Sequence, residues 1–104
     1  MPRIVTVQEL LAMPKGTVFA ELDDNGNPYG LCRFNGPHPH NAEHGGVEFY
    51  ENSLVAYDGG DAPHLNLDSG RHGLHDPDEK FLVYAPEEVA LIVKLMTDPE
   101  YYAP

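Results

Sequence analysis

Positive charge is scarce in this sequence. Six Lys and Arg stand against 17 Asp and Glu, a formal net charge of −11 over 104 residues. Holding a nucleic-acid backbone takes a basic patch that displaces counterions, and the chain cannot supply an open one. An anionic membrane surface is excluded as a partner on the same ground. The acidity suits a soluble protein, and it also suits one that imitates nucleic-acid phosphates or docks on a basic partner. Cysteine is nearly absent as well. Cys32 alone offers no disulfide framework, which fits a reducing cytoplasm. It sits in the apolar run YGLCRF without a Cys/His/Asn pattern, so it reads as a small core residue rather than a nucleophile. No apolar run approaches the ~20 residues of a membrane span, and MPRIVTV is too short and too polar for a signal peptide. These absences lead to a single domain, residues 1–104, expected in the cytoplasm.

What is present reads as an α+β domain. Thr6-Val7-Gln8-Glu9 has the spacing of a capping box, with Val5 and Leu10 placed as a hydrophobic staple. The helix that follows must be short, residues 7–12, because Pro14 and Gly16 end it. TVFAEL (residues 17–22) alternates as a strand, Asn25-Gly26 marks a hairpin turn, and YGLCRF (29–34) is the returning strand, with Gly30 leaving room for a bulge or a close neighbour. VEFY and LVAY are read as two further short strands interrupted by Glu51-Asn52-Ser53. DGGDAPHLNLDSGRHGLHDPDE reads as a long loop, and a compact domain seldom keeps one without a use for it. Residues 81–84 form the last strand. Pro86, Glu87 and Glu88 then open a helix whose Val89, Ile92, Val93 and Met96 stripe, widened by Leu91 and Leu95, predicts packing around much of its circumference. The expected architecture is a small, partly open, SH3-like antiparallel barrel of about five short strands, with a short N-terminal and a C-terminal helix.

All six histidines lie between His38 and His75. His38-x-His40 with Glu43 or His44 has the makings of a metal site, but the prolines flanking both histidines give it a poor ligand framework. His64, His72 and His75 share the long loop with Asp58, Asp61, Asp68, Asp76 and Asp78, where an Asp–His pair could do acid–base work. There is no Gly-x-Ser-x-Gly, no Walker loop and no dinucleotide fingerprint. Gly70-Arg71-His72-Gly73 is the sharper feature. It sets a guanidinium between two glycines on an acidic chain, suited to a phosphate or carboxylate, unless Arg71 is spent on a neighbouring acid. Arg33 has the same two readings. Tyr29, Tyr50, Tyr57 and Tyr84 can stack on a base or fill the core.

TVQELLAMPKGTVFAEL and SGRHGLHDPDEKFLVYAPEEVALIVKLM together resemble small phage- and prophage-encoded accessory proteins. Pro14, Gly16, Thr17, Gly70, Arg71, Gly73, Leu74, Asp76 and Glu88 carry the resemblance over about two thirds of the chain. It implies a small barrel-like fold and a setting in the host cytoplasm, and it brings no chemistry of its own. Within that setting the expected activity is non-catalytic. The protein would counter host defence by sequestering a small anionic ligand such as a nucleotide second messenger, using Arg71, Arg33, Gly70, Gly73, His72 and Tyr57. No metal or cofactor is assigned, and a homo-oligomer could share the site. One alternative is an acidic inhibitor that occupies a nucleic-acid groove on a host defence protein. A second is a His/Asp metal-dependent enzyme.

Overall fold

The computed structural model describes residues 1–39, 46–58 and 60–103, the side chains of Tyr57 and Asp58 excepted. The chain runs β1 (Arg3–Thr6), α1 (Val7–Leu11), β2 (Val18–Leu22), β3 (Pro28–Pro37), β4 (Val47–Ser53), β5 (Tyr57–Asp58), β6 (Pro63–His64), β7 (Gly70–His75), β8 (Lys80–Tyr84) and α2 (Pro86–Thr97). Six strands form one antiparallel sheet in the order β1-β8-β2-β3-β4-β7, and β5 and β6 pair as a separate ribbon. The architecture is α+β with an open sheet. Eight strands stand where about five were expected: β1, β6 and β7 are additional, and of the expected LVAY strand only Tyr57 lies in a strand, β5. Glu51, Asn52 and Ser53 continue β4 rather than interrupt it.

Local chemistry explains the first elements. Thr6 caps α1: its hydroxyl accepts from the Glu9 N–H at 3.2 Å, and the Glu9 carboxylate accepts from the Thr6 N–H at 3.0 Å. In the β2–β3 turn, Asp23 Oδ1 accepts from the N–H groups of Asn25 and Asn27, and Gly26 takes a φ of +81°. Two bulges then bend β3. The extra residue opposite β2 falls between Tyr29 and Cys32, where Gly30 has φ +70°. The one opposite β4 falls between Phe34 and Pro37, where Gly36 has φ +108°.

These bends curl the sheet, so that β7 comes to face β2 and β8 although neither is its neighbour. Phe19, Phe34, Phe49 and Phe81 fill the concave side, with Phe49 ring centroids 5.5 to 5.9 Å from the other three. Val5, Val7, Leu10, Cys32, Val47 and Val83 complete that core. Cys32 is therefore a core residue, as expected.

The C-terminal helix departs from expectation. No residue of α2 is buried, and Met96 is 77% and Val93 52% exposed. The reason is topological. The concave side is closed by the four phenylalanines and α1, which leaves α2 to the convex side. There it meets Val18 and Leu31, which point away from the core because they alternate with Phe19 and Cys32. No helix among the described residues is long and apolar enough to cross a membrane.

Candidate functional site

Pro14 ends α1, and the chain turns through Lys15 and Gly16 into β2. That turn is pinned to β3: the Gly16 N–H donates to the Phe34 carbonyl at 2.8 Å, and the Phe34 N–H donates to the Thr17 carbonyl at 2.8 Å. The Thr17 hydroxyl closes it by donating to the Pro14 carbonyl at 2.7 Å. Lys15 lies across Gly36, with its Cε 3.1 Å from where a Cβ would sit, so the glycine makes room for the lysine stem. Facing the turn are the end of β8 and the start of α2, where the Glu88 carboxylate accepts from the Ala85 N–H at 2.7 Å. That bond holds the Glu88 carboxyl below its ordinary pKa.

Between the two lies a groove of about 550 Å³. Its floor and walls are mostly apolar, with Met13, Val18, Val83 and Val89 among the lining residues, and Tyr84 offers an aromatic ring. Arg3 and Lys15 are among its lining residues, and the Lys15 side chain runs on over Gly36, its Nζ 4.0 Å from where a Cβ would sit. Neither makes an ion pair with another described residue. An apolar concavity of this size with a few convergent polar groups is the usual form of a small-molecule site.

Three of the other four cations are engaged differently. Arg71 donates to the carboxylate of Glu48, a buried residue of β4 that also lies 3.7 Å from His38 Nδ1. Arg33 donates to Asn52 Oδ1 at 2.7 Å and to Asn35 Oδ1 at 3.3 Å. Asn52 is buried and passes the network on, donating to the Leu67 carbonyl at 2.6 Å, while Asn35 donates to Ser69 Oγ at 3.2 Å. This polar lattice fastens the segment before β7 to the sheet. Lys94 sits 4.5 Å from the centre of the Tyr101 ring.

The structure thus brings Arg33 and Arg71 onto one convex face, beside Asn52 and Tyr50 of β4 respectively. Both guanidinium groups already have partners there, so a ligand at either would have to replace them. Gly70 and Gly73 belong to β7 and are not part of a free loop. His72 faces the opposite way from Arg71, into the concave side. The Tyr57 side chain lies outside the described residues, and so do His40, Glu43 and His44 of the considered metal cluster. Among the described residues, no group of three or more His, Cys, Asp or Glu is arranged to hold a metal ion.

The interior histidines have partners that the sequence did not suggest. His72 Nε2 lies 3.3 Å from Glu21 Oε1 on β2, and His75 Nδ1 contacts the Glu79 carboxylate. His72 Nδ1 and His75 Nε2 are 2.6 Å apart, and both rings stack on Phe49 at 4.7 and 5.6 Å. Glutamates, not the loop aspartates, are therefore what these imidazoles meet. The His72 contact holds the Glu21 carboxyl below its ordinary pKa against the opposing effect of burial. Nearby, burial and then the charges of Glu51 and Glu21 push the Cys32 thiol up to about 12. That value removes Cys32 from nucleophilic chemistry at neutral pH.

Comparison with known proteins finds no matching protein family, no similar curated protein and no similar solved structure.

Proposed function

We propose that the protein is a non-catalytic binder that captures a small anionic ligand in the groove between the α1–β2 turn and the start of α2. The observation that supports this reading is the placing of charge. On a chain with only six Lys and Arg, Arg3 and Lys15 come from segments a dozen residues apart and both line one concavity. A guanidinium beside an apolar groove, with a lysine stem in its lining, suits an anion whose body is less polar than its head. Tyr84 in the wall offers a face for a ring.

Arg71 and Arg33, the cations that the sequence puts forward, serve in this reading to tie strands and loop together. The resemblance to phage and prophage accessory proteins supplies the setting: capture of a nucleotide second messenger would blunt a host defence that depends on it. A thermal-shift panel of mono- and cyclic dinucleotides, long-chain carboxylates and inorganic phosphate tests the proposal. An anionic compound should raise the melting temperature of the wild type, and Arg3→Ala should abolish the rise. If no anion in the panel moves the wild type, the proposal fails.

A further inference from the structure

A second hollow of about 250 Å³ adjoins the groove, sharing Val18 and Val89 with it, and lies between α2 and the convex face of the sheet. There β3 contributes Leu31, the residue after β4 contributes Leu54, and the helix contributes Ile92, Val93 and Met96. Among the described residues, no charged or polar side chain lines this second hollow. Its walls are apolar side chains left partly open to water: Val93 and Met96 are more than half exposed, and Leu54 is 40% exposed. An exposed apolar surface of this kind marks a binding site more often than an accident.

We infer that the ligand is a free, single-chain anionic amphiphile, its charged head at Arg3 and Lys15 and its hydrocarbon chain laid beneath α2. The inference rests on the anion-capture reading and specifies the ligand class. Charge complementarity argues for this occupant. Arg3 and Lys15 are in the lining of one hollow and apolar side chains line the hollow that adjoins it, which is the polarity of a carboxylate or phosphate carrying an alkyl tail. From Val89 to Met96 the helix rises about 10 Å, so the second hollow accepts an extended chain and not a compact ring alone. A net charge of −11 disfavours an anionic bilayer as the source, so the occupant is a dissolved monomer.

Calorimetric titration with acetate, hexanoate, decanoate and dodecanoate below their micelle concentrations, alongside inorganic phosphate and adenosine monophosphate, tests the inference. Affinity should rise roughly two- to fourfold per added methylene until the second hollow is full. Dodecanol, without the charge, should bind more weakly than dodecanoate. Val93→Gln alters an exposed position and should leave folding intact; it should weaken dodecanoate at least tenfold and leave any phosphate binding unchanged. If phosphate or the nucleotide binds and chain length adds nothing, the amphiphile inference is overturned while anion capture stands. If no compound binds, both fall. Sedimentation showing a dimer that Val93→Gln dissociates, with no dodecanoate bound by the wild type, would assign the apolar surface to a second copy and overturn the inference.

Discussion

His72 and His75 touch across 2.6 Å although they are three residues apart on one strand, a spacing that in a regular strand puts side chains on opposite faces. A bulge reconciles the two. Between Val47↔His75 and Phe49↔His72, β7 spends three steps where β4 spends two, and the extra residue turns both rings onto Phe49. The pair then meets Glu21 and Glu79 and closes the curl of the sheet from the β7 side.

This arrangement makes stability depend on acid in a definite direction. The Glu21 carboxyl has a folded-state pKa below its ordinary 4.5, chiefly through His72. Its contribution is complete above pH 4.5. It is lost as pH falls from there through the folded value, because the unfolded chain takes up the proton first. Urea denaturation between pH 3 and 6 should show wild-type stability falling over this range and a shallower fall in Glu21→Gln. Identical slopes in the two proteins would contradict the His72–Glu21 contact.

Cys32 should be inert in the folded protein. With the thiol pushed up to about 12 and its side chain in the core, iodoacetamide at pH 8 should label it only in urea. Prompt labelling of the native protein would place the thiol at the surface.

Glycines should divide sharply. Gly36→Ala must hold a φ of +108° and push on Lys15, and should cost about 1–3 kcal/mol. Gly70→Ala and Gly73→Ala meet nothing within 4 Å and should change stability by about 0.5 kcal/mol or less. The comparison is read from urea midpoints at constant slope.

The helix and the core should differ likewise. Leu91→Gln and Leu95→Gln alter half-exposed positions on α2 and should leave stability within about 0.5 kcal/mol. Phe49→Ala empties the centre of the aromatic cluster and should cost about 3–5 kcal/mol, a large share of what a domain of this size possesses. A large loss from the leucine variants would mean that α2 is packed after all.

Features written in neighbouring residues were legible. The Thr6–Glu9 box needs only three-residue spacing, and the Asn25-Gly26 turn and the Gly30 bulge depend on backbone freedom at one position. The strand β7 was hidden because its glycines and histidines carry no alternating apolar signal; the His72 and His75 rings are partly covered by partners that arrive from β2, β4 and the turn before β8. Continuation of β4 through Asn52 was hidden for a similar reason, since the burial of that amide depends on Leu67 and Arg33. Helix α2 misled in the other direction. Its apolar stripe normally signals a covered face, and only the curling of the sheet shows that the core is closed without it. Arg3 and Lys15 look unremarkable in the sequence because their place in the lining of one groove depends on how the turn after α1 sits against β8.

Calorimetry of four proteins with dodecanoate, adenosine monophosphate and inorganic phosphate tests the central claim most directly. The four are the wild type, Arg3→Ala/Lys15→Ala, Arg33→Ala and Arg71→Ala. The account predicts that at least one anion binds the wild type with one-to-one stoichiometry. The double variant should lose that binding at least tenfold, and Arg33→Ala and Arg71→Ala should retain it. Binding that survives in Arg3→Ala/Lys15→Ala but disappears in Arg71→Ala would contradict it, placing the receptive site on the convex face beside Glu48.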